Sequence, residues 1–245
     1  MFKNILFAGA ASVLMIGSAQ AADIIEPPTV YDWTGPYIGL QAGYAWGNND
    51  VSPDIEEISP AITESAIILS PPEDGDIDID GFVGGAHVGY NFQADSLVFG
   101  LEGDIEYADL SGDTDIFFSP DDEERFGEAE QNIDWLGSLR LRLGYAMDRT
   151  LIYATGGLAV GGVDVKVSLD EIGSESESET AWGWTVGGGL EYAVSDALSA
   201  RIEYRYTDLG NTKVSTDDLD FPGDVEFEHT FHAVRAGLSW HFNSM

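Results

Sequence analysis

A two-residue alternation of apolar with small or polar side chains recurs eight times along this chain. In residues 37–46, Ile38, Leu40, Ala42, Tyr44 and Trp46 share one parity, and Gly39, Gln41, Gly43 and Ala45 the other. Successive side chains of a strand point to opposite faces. Each such run therefore makes a strand with one apolar face and one small or polar face. The pattern returns over 82–92, 97–107, 133–145, 151–165, 182–192, 198–206 and 230–242. After residue 21 no continuous apolar run is long enough for a membrane helix. In lipid, backbone polar groups must pair with one another, so strands that face lipid have to close into a barrel. The alternation predicts an all-β fold, an eight-stranded antiparallel up-and-down transmembrane β-barrel with an apolar outside and a polar lumen.

The connections give the topology. Residues 1–21 have the parts of a secretory signal: Lys3, a mostly apolar stretch from Ile5 to Ile16, and the small-residue site Ala19-Gln20-Ala21. Residues 22–36, with Pro27-Pro28 and Gly35-Pro36, are expected to be an irregular periplasmic segment. The barrel is expected over 37–242, with short turns at 93–96, 147–150 and 195–197. Long connections are expected at about 47–81, 109–131, 168–181 and 208–229. Short periplasmic turns and long external loops are the habit of bacterial barrels. Two aromatic belts follow: Trp46, Phe82, Tyr107, Trp135, Trp182, Trp184 and Tyr206 at the outer ends, and Tyr37, Tyr90, Phe92, Phe99, Tyr145, Tyr153, Tyr192, Trp240 and Phe242 at the inner ends.

Charge narrows the function. The chain carries 44 acidic and 10 basic residues, a net charge of −34, and no cysteine. Nucleic acid is excluded as a partner, because phosphates need clustered Lys and Arg. Thiolate metal sites and dithiol redox chemistry are excluded as well. Most of the carboxylates fall in the long connections and make an anionic external face. The basic residues fall largely on the lumen parity: Arg140, Arg142, Lys166, Arg201, Arg205 and Arg235. The carboxylates read as inward are Glu102, Asp104, Glu106, Asp134, Asp164, Glu191 and Glu203. A lumen of eight strands is just wide enough to be filled by side chains, and buried charges must be paired. A structural plug of ion pairs is therefore expected. The register set by the turn at 195–197 places Glu191 opposite Arg201.

Two further clusters bear on ligands. Asp76, Asp78, Asp80 and Gly81 match the first half of a calcium loop, but His87 stands where its closing Glu belongs. An extended acidic ladder, weakly holding divalent cations together with Asp121, Asp122, Glu123 and Glu124, is the expectation. His87, His229, His232 and His241 do not converge as metal ligands should and are read as rim and lumen residues. No Ser-His-acid set has a definable geometry, so no catalytic residue and no cofactor is expected.

The segments DWTGPYIGLQAGYAWG (32–47), RIEYRYTDLG (201–210) and HAVRAGLSWHF (232–242) carry a family resemblance. They resemble the porin-like outer-membrane immunogenic proteins of Gram-negative bacteria, whose eight-stranded barrel is similar to the OmpA transmembrane domain. The resemblance implies a surface-exposed envelope protein of the cell outer membrane without common catalytic residues. Its partners would be outer-membrane lipid, lipopolysaccharide and the barrel assembly machinery. The leading expectation is a structural envelope barrel with acidic loops. The alternatives are a small cation-preferring porin, and a loop-mediated receptor for haem, divalent cations or a host surface.

Overall fold

The computed structural model describes residues 31–54, 76–117, 125–169, 173–215 and 224–242; residues 1–21, expected to be a secretory signal, and the Asp121–Glu124 cluster lie outside them. Its elements are eight strands: β1 (Gly35–Asp54), β2 (Asp76–Ala94), β3 (Leu97–Phe117), β4 (Arg125–Met147), β5 (Thr150–Leu169), β6 (Gly173–Ala193), β7 (Leu198–Ser215) and β8 (Asp224–His241). Each pairs antiparallel with the next. β8 returns to β1, with Leu238 opposite Leu40, and closes the barrel. Closure removes the edges that an open sheet would present to lipid.

Two of the short turns, Asp95-Ser96 and Asp148-Arg149, are two-residue loops between Ala94 and Leu97 and between Met147 and Thr150. Asp95 and Asp148 have φ of 55° and 50°. Aspartate tolerates this left-handed region, which the tight turns of twisted hairpins require.

The alternation becomes a physical division at mid-barrel. Along β4, Leu139 and Leu141 are 52% and 70% exposed, while Arg140 and Arg142 are 0% and 2% exposed. Trp46, Phe82, Tyr107, Trp135, Trp182 and Trp184 face outward near one rim. Tyr90, Phe92, Phe99, Tyr145, Tyr192, Trp240 and Phe242 face outward near the other. Tyr37 and Tyr153, expected in the second belt, are instead buried in the lumen. They share the parity of Gln41 and Thr155, and strand period overrides residue type.

The strands also run well past the belt that contains Trp46, into stretches expected to be loops. There the polarity of the two faces reverses. Ile79, Leu110, Ile133, Val163, Val165 and Leu209 are buried inside, whereas Asp78, Asp80, Asp109, Asp134 and Lys166 are exposed. Outside the hydrocarbon the outer face meets water, so apolar side chains gain by turning inward. This corrects three assignments. Asp134 is the extra residue of a register shift between Ile133 and Trp135 and is exposed. Asp164 and Lys166 share the outward parity of Ile152 and Leu158, and Lys166 reaches Glu130 at 3.2 Å on that surface.

The extensions do not stay closed. The β6–β7 ladder ends at the Trp184–Asp208 pair, and the β2–β3 ladder ends at Asp80–Ser111. Beyond them pairing continues from β3 through β6, and from β7 through β8 and β1 to β2. At this end the ladders thus run as two four-stranded sets, whose inward side chains share one apolar cluster.

Candidate functional site: the filled lumen

Glycines on the inward parity make room for large side chains. A Cβ on Gly39 would lie 2.3 Å from the His87 ring, and one on Gly89 would lie 2.4 Å from the Tyr37 ring. Both distances are far below ordinary contact, so these sites admit no larger residue without movement.

Into that space β3, β4, β6, β7 and β8 project a charge network. Arg140 lies against Glu102, at 3.1 Å from Asp104 and 3.0 Å from Glu203. It also donates to Thr155 at 2.9 Å and Ser138 at 3.0 Å. Arg201 reaches Glu102 at 2.6 Å and also donates to Gln41. Arg205 bridges Asp104 at 3.1 Å and Glu203 at 2.8 Å. Arg235 binds Glu106 through Nε and Nη2, at 3.0 and 2.9 Å. Arg142 pairs with Glu191 and stacks over the Tyr153 ring, 3.9 Å from its centroid. Five carboxylates thus face five guanidiniums with side chains no more than 3% exposed. Charge balances within the lumen, as burial at this depth requires.

All ten residues expected in the ion-pair network are here. The expected pairing within it is not. Glu191 and Arg201 are register partners, yet Arg201 extends to Glu102 and Glu191 takes Arg142. Long side chains choose partners across the lumen rather than along the ladder. Sequence reading also missed the neutral members, Gln41, Ser138, Thr155 and Ser199. Their only signal was inward parity.

Two buried, largely apolar layers bound the network. At the short-turn end Tyr31 and Trp33, which precede β1, are buried with Val98, Ala146, Leu151, Tyr153 and Ala193. The Tyr31 amide donates to the Asp148 carbonyl at 3.1 Å, and its hydroxyl donates to the Asp196 carbonyl at 2.9 Å. The Trp33 amide donates to Gln93 at 2.8 Å. The Tyr31 and Trp33 rings meet edge to face, 4.7 Å apart, and both approach His241. Burial, with Glu191 nearby, pushes the Tyr31 phenol up to about 12. At the other end Ala45, Ile79, Val83, Leu110, Ile133, Leu136, Val163, Leu209 and Phe231 form a buried apolar cluster. Between that cluster and the network, Asp104, Glu106, Arg205, Arg235, Thr207 and Phe231 bound a void of only about 10 Å³. That is on the order of one water molecule.

The histidines divide as rim and lumen residues. His87 bonds Ser239 at 2.9 Å, His241 bonds Ser199 at 2.9 Å, and His229 bonds Gln131 at 2.7 Å, all in the interior. His232 lies on the rim, stacked on Trp46 and Tyr204. Asp78 and Asp80 are exposed on alternate positions of β2, and the Tyr44 hydroxyl donates to Asp80. The Asp76 side chain lies outside the described residues. Among the described residues no three acidic or histidine side chains converge as a metal centre would.

The family profile described as "Outer membrane protein beta-barrel domain" matches residues 8–242. The chain belongs to this family. Among its relatives, the 31 kDa outer-membrane immunogenic protein of Brucella melitensis is 34% identical over 98% of this chain and 100% of that protein. The 25 kDa outer-membrane immunogenic protein of Brucella abortus is 32% identical over 98% of each. A solved structure, the outer membrane protein OprG from Pseudomonas aeruginosa, aligns over 87% of this chain and 100% of that one, with 12% identity and a TM-score of 0.47. This outer-membrane β-barrel therefore sits in the cell outer membrane with immunogenic surface proteins as its relatives. Its belts and lumen take their meaning from that setting.

Proposed function

We propose that this barrel is a surface-presenting envelope protein whose lumen is closed, with its short turns in the periplasm and its strand extensions outside the cell. The observation that carries this reading is the layered interior. A charge-balanced network lies between an aromatic cap and an apolar cluster. An ion crossing such a barrel would have to displace buried ion pairs and then traverse an apolar layer without hydration, both costly steps. Among the described residues no convergent catalytic set faces the lumen, and the void between the network and the apolar cluster is on the order of one water. What remains is the outside: a lipid-facing band that anchors the barrel, and acidic extensions presented to the medium.

The test is planar-bilayer conductance of the purified full chain. The closed reading expects no defined single-channel steps. It expects small, irregular openings only after the lumen is emptied by Arg140→Ala with Glu102→Ala. Reproducible cation-selective steps from the unaltered protein would replace this reading with that of a small cation-preferring porin.

A further inference from the structure

The residues before β1 cross the short-turn mouth and are tied to each of the three short turns. The Tyr31 amide donates to the Asp148 carbonyl in one turn, and its hydroxyl donates to the Asp196 carbonyl in another. At the third, the Trp33 amide donates to the Gln93 side chain, and the Gln93 amide donates back to the Thr34 hydroxyl at 3.1 Å. Within the segment the Thr34 amide donates to Asp32 at 2.9 Å. Arg149 lies 5.7 Å from the Tyr31 ring centroid and is fixed by the Ala193 carbonyl at 2.8 Å and by Asp196 at 3.1 Å. None of these bonds is a rung of the barrel. The β1 ladders start later, at Gly35 with β2 and at Tyr37 with β8. Tyr31–Thr34 is thus a strap laid across a barrel that closes without it.

Two effects act on the strap in opposite directions. Burial of the Tyr31 and Trp33 rings, with Trp33 0% exposed, holds it down. Buried polar atoms at its level work against it. Among the described residues, both amide atoms of the Asn91 side chain, Nδ1 of His241, Nε of Arg142 and Nε1 of Trp33 itself lack a hydrogen-bond partner. Asn91 stands opposite Gly35, one residue past the strap, and also opposite Gly100, which is opposite Arg142. The His241 ring lies 5.6 Å from that of Trp33. A buried polar group without a partner forfeits the hydrogen bond that water would supply, so these four side chains favour lifting the strap. Proteins open locally, in cooperative units, without unfolding as a whole. We propose that Tyr31–Thr34 is a detachable strap: it lifts as a unit while the eight ladders stay closed, and water then reaches the layer of Asn91, His241 and Arg142. The closed reading of the lumen stands beside it, because the apolar cluster still bars the far end.

The test is amide exchange of the full barrel in lipid nanodiscs. Protection of the Tyr31, Trp33 and Gln93 amides is expected to be alike, and about 100-fold or more below that of the mid-barrel ladder amides. Water entry is read with Ala193→Cys, since Ala193 is fully buried in the same cluster as Tyr31 and Trp33 and the chain has no cysteine. Its thiol is expected to react with N-ethylmaleimide at the rate set by strap opening. Two further changes move that rate in opposite directions. Tyr31→Phe with Thr34→Val removes the bonds to Asp196 and to the Gln93 amide and should speed both labelling and strap exchange about ten-fold. Asn91→Leu removes the unpartnered amide and should slow both about ten-fold, an effect that a merely structural cap would not give. The gel shift of the folded barrel and the ladder protection should stay unchanged in both variants. Strap protection equal to that of the ladder, unequal protection within the strap, or labelling left unchanged by either folded variant overturns the proposal. If Asn91→Leu fails to fold, the loosened strap decides alone. Defined single-channel steps from the unaltered protein would overturn the closed lumen and leave the strap standing.

Discussion

Replacing Arg142 should test whether lumen charges pair by reach or by register. Arg142 is 2% exposed and Glu191 1% exposed, and their ion pair is the sole guanidinium contact that Glu191 makes within salt-bridge distance among the described residues. Ser199 donates to the same carboxylate, and His241 lies 3.5 Å away. Arg142→Met leaves a buried carboxylate without its cation, a loss of about 3–5 kcal/mol. It also removes the stack on Tyr153, worth up to about 2 kcal/mol when desolvated. Arg140→Met should cost less, nearer about 3 kcal/mol. Its partners keep other guanidiniums: Glu102 retains Arg201, and Asp104 and Glu203 retain Arg205. Two double-mutant cycles separate the alternatives. The cycle of Arg142→Met with Glu191→Gln should show a coupling of about 1–3 kcal/mol. The cycle of Arg201→Met with Glu191→Gln, register partners held by other groups, should show a smaller one, within roughly 0.5 kcal/mol. The assay is urea unfolding from lipid vesicles, followed by tryptophan fluorescence and by the gel shift between folded and heated barrel. A larger coupling for the Glu191–Arg201 cycle than for the Arg142–Glu191 cycle would refute pairing across the lumen and restore pairing along the ladder.

Three further outcomes are expected. Leu141, 70% exposed in the middle of the lipid band, should lose about 2–4 kcal/mol as Leu141→Arg in the same unfolding assay; a neutral result would place it outside hydrocarbon. Gly157→Ala should destabilise by about 1–3 kcal/mol, because its Cβ would lie 2.1 Å from the Leu139 carbonyl, whereas at the adjacent Gly156 the nearest atom is 3.8 Å away and Gly156→Ala should be nearly silent. The raised Tyr31 phenol sets a pH limit on the aromatic cap: its contribution is complete below about pH 10 and is lost as pH rises toward 12. The protection of the Trp33 amide, its exchange rate relative to a free chain at the same pH, should therefore fall across that window, and Tyr31→Phe should abolish that fall even though it removes the bond to Asp196.

The sequence by itself determined the number of strands, their order and which face meets lipid. Those properties follow from a period of two read against a single solvent, and at Leu139–Leu143 hydrocarbon makes the reading unambiguous. It also placed all ten charges of the network, because inward parity within the lipid band is unmistakable. It could not say where the band stops. Past the belt the outer solvent becomes water, so Val163 and Val165 turn inward and Lys166 turns outward, and the same polarity rule read there puts Asp134, Asp164 and Lys166 on the wrong face. Nor could it pair the charges, since guanidiniums reach across a closed lumen whose geometry exists only after all eight strands have met. Tyr31 and Trp33 lie before the first strand; they share the parity of Tyr37, but only the finished barrel supplies the mouth that buries them. Where the β2–β3 and β6–β7 ladders end is likewise tertiary, because strand periodicity is the same whether a neighbour is present or absent.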